Sequence, residues 1–234
     1  MRRQFTPGLS IIFCFSILVF VAGCGGSNSS KQENNSTAFD TIKVPVYSGN
    51  TAVAVTHEVK SFDAWYKVYS DESDPQSRLS IFASPDDPNL ITVFELTKSH
   101  ADAKNAFASD RIKKAMLEAG VTSEPIFHYY DVKYRMTEAT EKNYRLGVSH
   151  EVEDYDRWKK VFDEDEPIRA KANLELRAIS LDADNPRMVN IMFATDNIEK
   201  AKEVINSDEL RKRMQDAGVR SEPVFTVLTI PNKN

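Results

Sequence analysis

Cysteine is almost missing from this sequence, and both of its cysteines lie near the start. Of 234 residues only Cys14 and Cys24 carry a thiol, so everything beyond residue 24 lacks a disulfide, a thiol nucleophile and a cysteine-built metal cluster. Histidine is nearly as scarce. The four histidines, His57, His100, His128 and His150, show no short ligand spacing, so no metal site is expected. None of the eight glycines belongs to a phosphate-cradling loop, and there is no serine-nucleophile motif and no paired acidic motif for hydrolysis. These absences argue against a nucleotide-dependent enzyme and against a hydrolase. Basic residues do not outnumber acidic ones: the formal net charge is -5, which excludes nucleic acid as an expected partner. With 41% hydrophobic and 28% charged residues the composition is that of a globular protein, long enough to bury a core without disulfides.

The one long apolar stretch runs over residues 9–22, behind Arg2 and Arg3. It is too short to span a bilayer, which takes roughly 20 apolar residues, and has the form of a secretory h-region. It ends in Val21, Ala22, Gly23 and Cys24, which resembles the lipobox at which bacterial lipoproteins are acylated and cut. Small residues at 22 and 23 fit a peptidase cleft, and the Cys24 thiol can take a thioether-linked lipid. The resemblance implies a lipoprotein signal peptide over residues 1–23, lipidation of Cys24 and attachment to a membrane of the cell envelope through lipid rather than through a span. An ordinary signal with a chance cysteine, or an uncleaved anchor, is the alternative. Arg2, Arg3 and Phe5 match a twin-arginine signal only in part and do not fix the export route. Residues 24–40, rich in Gly, Ser, Asn, Lys and Gln, read as a lipidated flexible tether.

An internal repeat decides the architecture. Residues 55–69, VTHEVKSFDAWYKVY, align with residues 148–162, VSHEVEDYDRWKKVF, at 8 of 15 positions; residues 109–127 align with 207–225 at 11 of 19. The offset is 93 in the first block and 98 in the second, so the second copy has a longer connection after its first helix. The copies occupy residues 41–136 and 143–231, joined by a polar linker. Each reads as strand, helix, strand, strand, helix, strand. Alternating Val53, Val55, His57 and Val59 mark one face of the first strand, and Phe62, Trp65, Val68 and Tyr69 recur at helical spacing. Ser61 and Asp154 are expected to cap the first helices. Ser99 with Asp102 and Asp196 with Glu199 are expected to open the second ones, which run to Gly120 and Gly218. The fold class is therefore α+β: two ferredoxin-like (βαββαβ) modules, each with one sheet face that needs cover. The two copies supply that cover to each other about a pseudo-two-fold axis.

Three pieces recur in both copies: His57-Glu58-Val59 and His150-Glu151-Val152; Phe62-Asp63-Ala64-Trp65 and Tyr155-Asp156-Arg157-Trp158; and an Asp-x-x-x-Lys-x-Met run ahead of Ala-Gly-Val. Together they resemble the dimeric α+β barrel superfamily, near the antibiotic-biosynthesis-monooxygenase-like proteins. The resemblance implies an intramolecular barrel. No cofactor is expected, because His57 and His150 come from separate strands with no cysteine and no short histidine spacing to complete a metal or haem sphere. The activity stays open, because that superfamily holds cofactor-independent monooxygenases, haem-degrading enzymes and members of no known function.

His57 and His150 are the candidate catalytic residues: each occupies the same place in its copy, on an apolar strand face, where a neutral imidazole could move a proton. The competing account is a buried histidine whose nitrogen satisfies a backbone or acidic group. Trp65, Trp158 and Arg169 are candidate ligand-binding residues. The tryptophans equally suit core anchors, as do Met116 and Met214, and Asp63 and Asp156 suit the helix dipole. Arg78 falls near the counterpart of Arg169, and either could hold an anion at a pocket mouth. His100 and His128 face Ile198 and Thr226 in the alignment and belong to the first copy only. Two functions follow. One is an envelope lipoprotein whose barrel binds a small molecule or an envelope protein. The other is a cofactor-independent monooxygenase-like enzyme, which requires an apolar pocket with His57 or His150 on its wall.

Overall fold

A computed structural model describes residues 50–231. The signal peptide, Cys24, the tether and the start of the first copy lie outside the described residues. The first module comprises β1 (Thr51–Glu58), α1 (Phe62–Glu72), β2 (Arg78–Ala83), β3 (Leu90–Thr97), α2 (His100–Ala108), α3 (Asp110–Glu118) and β4 (Ile126–Arg135). The second comprises β5 (Tyr144–Glu151), α4 (Tyr155–Glu164), α5 (Glu166–Lys171), β6 (Glu175–Asp182), β7 (Met188–Thr195), α6 (Ile198–Ile205), α7 (Asp208–Asp216) and β8 (Val224–Thr229).

Within each module the strands lie in the order fourth, first, third, second, and all pairs are antiparallel. The two sheets join at their edges into one closed eight-stranded barrel, β1-β3-β2-β8-β5-β7-β6-β4. This is the dimeric α+β barrel with both halves supplied by one chain. Its seams are unequal. β4 and β6 pair from Tyr130↔Asp182 to Arg135↔Ala178 around a bulge, whereas β2 and β8 meet only at Ala83↔Thr229.

Strand alternation separates two environments. On β1, Val53, Val55 and His57 face the helices. Thr56, pointing the other way, hydrogen-bonds Thr92 at 2.9 Å, and at the matching place in the second module Ser149 donates to Asn190 at 2.7 Å. The helix-facing core of the second module is the larger, gathering Leu146, Trp158, Phe162, Ile179 and Phe193 among others. That of the first is built on Val59, Trp65, Ala83, Ile91, Val93 and Ala119.

Local chemistry explains where the elements depart from expectation. The single helix expected between Ser99 and Gly120 is two, because the Ser109 hydroxyl accepts from the Ile112 N–H and starts α3 afresh. Ser207 does the same for α7. Gly120 and Gly218 end these helices at φ +83° and +82°, a conformation that costs glycine little. Ser61 precedes α1 without a side-chain cap bond, while Asp154 caps α4 by accepting from Arg157 N–H at 2.8 Å. Asp196 is not the cap of α6. Asn197 is, accepting from Lys200 N–H at 2.8 Å, and Asp196 instead accepts from Asn143 N–H. The longer connection of the second copy folds as α5. Asp154→Ala should therefore cost about 1 kcal/mol in urea denaturation, and Ser61→Ala clearly less; equal losses would refute this difference.

Among the described residues no helix is long and apolar enough to cross a membrane, and no group of three or more His, Cys, Asp or Glu side chains is placed to hold a metal ion.

Candidate functional site

His57 and His150 occupy equivalent places and have equivalent surroundings. They are 3% and 4% exposed. Each ring packs beside the tryptophan of its own module, with centroids 5.7 Å apart for His57 and Trp65 and 5.8 Å apart for His150 and Trp158. The expected backbone or acidic partner is missing: neither nitrogen of either ring has a hydrogen-bond partner among the described residues. Burial pushes both pKa values down to about 4, so each ring is neutral near pH 7 and offers one N–H and one lone pair.

What distinguishes the modules is the space in front of these rings. Between the first module's sheet and its helices lies a cavity of about 330 Å³, with His57, Trp65 and Tyr69 on one wall and Phe107, Ile112 and Met116 on the other. The corresponding space in the second module is about 80 Å³ and almost wholly apolar. Strand register shows how the difference arises. Glu95 stands opposite Val53, and Phe193 opposite the equivalent Leu146. The repeat likewise aligns Tyr69 with Phe162. Where the second module stacks Phe162 against Phe193, the first has the Tyr69 hydroxyl donating to Glu95 Oε1 at 2.7 Å. Burial raises the pKa of the Glu95 carboxyl, opposed by the Tyr69 hydrogen bond and by Arg78.

The second module is also closed from outside. Ile168, Arg169 and Leu174, from α5 and the segment after it, line its small cavity, and Arg213 bonds Asp165 at 2.6 Å across it. At the position of Arg213 the first module has Ala115, which lines the open cavity. Its arginine stands one turn earlier, where Arg111 pairs with Glu72 in an exposed bridge.

The arginines expected at a pocket mouth serve mainly as braces. Arg169 lies over the Phe162 ring, 3.8 Å from its centroid, and donates to the Phe162 carbonyl. Arg78 lies 5.3 Å from the Tyr69 centroid and donates to the Ser73 hydroxyl and the Ser70 and Ser73 carbonyls. Different positions in the two copies thus place a guanidinium on the same aromatic position. His100 bonds the Tyr130 carbonyl and Asp131 on β4, and His128 stacks on Tyr130; neither reaches the cavity. Glu95 and Tyr69 are the site residues that inspection of the sequence does not single out.

No family model matches the sequence, and no curated protein does. Solved structures share the fold. A candidate chlorite dismutase superposes with a TM-score of 0.53 at 10% identity, covering 78% of this chain and 95% of that one. A candidate monooxygenase from Lactobacillus acidophilus NCFM gives 0.50 at 11%, covering 76% and 92%, and an anthrone oxidase-like protein gives 0.50 at 14%, covering 80% and 94%. At these identities the likeness is one of architecture.

Proposed function

We propose that this protein is a lipoprotein of the cell envelope, attached through lipid on Cys24, whose first barrel module binds a small organic molecule while the second is a filled structural counterpart. The observation that carries the binding reading is the asymmetry. Two copies of one module keep the same histidine and tryptophan, yet one holds a cavity of about 330 Å³ with a buried Tyr69–Glu95 pair, and the other fills that space with Phe162 and Phe193. A volume of this size lies in the range of small-molecule sites. The lipobox-like run before Cys24 supports the anchor.

Native mass spectrometry of the full-length protein released gently from membranes tests the binding half. The reading expects one small molecule per chain, lost when Ala106→Phe fills the cavity; a bound molecule unaffected by that substitution would overturn it. Cys24→Ala should move the protein from the membrane fraction to the soluble fraction, and an unchanged distribution would refute the anchor.

A monooxygenase-like activity is the second reading, favoured by the unpartnered His57 on the cavity wall. Its weakness is energetic. A general base works best with a pKa near the operating pH, and burial holds His57 at about 4, so hydrogen bonding to a ligand suits it better than proton abstraction. Under this reading His57→Phe abolishes turnover while binding persists; under the first, the same change weakens binding.

A further inference from the structure

We infer that the ligand of the first module is a protonated amine: an elongated, mainly apolar or aromatic molecule whose ammonium group rests against Glu95 while its far end lies beside His57. This rests on the cavity being the ligand site and names the class of ligand.

A carboxylate in an apolar surround is costly unless it is paired. Glu95 has one neutral donor, the Tyr69 hydroxyl, and among the described residues no lysine or arginine nitrogen forms an ion pair with it. Arg78, its neighbour across the β2–β3 register, directs its guanidinium to Ser70 and Ser73 instead. Glu72 lines the cavity as well, and among the described lining residues the cationic side chain, Arg111, is held by Glu72. A carboxylate ligand would therefore meet Glu95 with no lining cation left to receive it. Trp65 and Tyr69, stacked with centroids 4.9 Å apart, add aromatic surface of the kind that attracts a cation.

The other end differs in kind. His57 is neutral, so it does not oppose a cationic ligand, and both its nitrogens are unpartnered. Glu95 stands opposite Val53, four residues along β1 from His57, which separates the two ends by about 13 Å at strand spacing. Val55, Val93 and Phe107 line the cavity as well. Its polar groups thus call for a molecule with an amine at one end, an apolar body and a weak hydrogen-bonding group at the other. The second module, with Phe193 in place of Glu95, offers no such anchor.

Isothermal titration calorimetry of the full-length protein near neutral pH, with 4-phenylbutylamine, 4-phenylbutanol and 4-phenylbutyrate, tests the class. The amine should bind about tenfold or more tighter than the alcohol, as a charge-assisted bond requires, and the butyrate should not bind measurably. Glu95→Gln should bring the amine down to the level of the alcohol. If that variant folds poorly, Glu95→Phe, copying the second module, serves instead. An alcohol that binds as tightly as the amine, with both lost in Ala106→Phe, would overturn the amine assignment and leave the cavity as a ligand site. An amine preference that survives Glu95→Gln would overturn the role of Glu95. Failure of all three probes to bind would overturn the cavity reading and the amine assignment with it.

Discussion

Acidification from pH 7 to pH 4 should remove about 6 kcal/mol of folding stability through two side chains alone, His57 and His150. Both imidazoles have their pKa pushed down by burial from 6.5 to about 4. Between those values the unfolded chain binds protons that the folded chain refuses, so stability rises with pH through the window and is lost as pH falls through it. A displacement of that size corresponds to about 3 kcal/mol for each ring by the time pH 4 is reached. The buried Glu95 carboxyl acts in the opposite direction, since a raised pKa means that the folded form takes up its proton first. The histidine contribution is therefore isolated by difference. Urea denaturation at several pH values should give a steep slope for the wild type and a much shallower one for the His57→Leu/His150→Leu variant. Parallel slopes would show that the two rings are solvated or partnered in solution.

Removing the indole from the second module should be nearly as damaging. Trp158 is 3% exposed and stacks on Phe162 with centroids 4.8 Å apart, inside the larger of the two cores. Trp158→Ala should cost about 3–5 kcal/mol, the usual loss for a buried aromatic whose space cannot collapse. Trp65 is equally buried, but the cavity it borders is about 330 Å³, against about 80 Å³ beside Trp158. Since packing loss is what makes such deletions expensive, Trp65→Ala should cost distinctly less. Chemical denaturation of the two variants side by side checks the order; equal losses, or a larger loss at Trp65, would mean that the first module is as tightly filled as the second.

The fold was legible in the sequence because duplication states each element twice. His57 and His150, Trp65 and Trp158, and the two Ala-Gly-Val stops fall at fixed offsets, and one hydrophobic face per copy requires the other copy as its cover. The same repetition hid the site, since attention to what the copies share favours the histidines and tryptophans, whereas the binding asymmetry lies where they differ. Glu95 could have been found by extending the offset of 98 back through β3, where it falls on Phe193. A carboxylate at the helix-facing position of an otherwise apolar strand is the signal. Tyr69 was visible only as part of an apolar stripe, because its hydroxyl acquires meaning once Glu95 is known to lie opposite. The helix breaks at Ser109 and Ser207 were missed for a simpler reason: the apolar period continues across them, and a serine followed by aspartate can cap a new helix as easily as it can sit within one.

That the first module is open to a ligand and the second is not is tested most directly by anomalous diffraction from crystals of the protein soaked in 4-iodophenol, a neutral probe too large for the second module's space. The account predicts an iodine peak between Trp65 and Phe107 and none beside Trp158. A peak beside Trp158, or an empty first module, would contradict it.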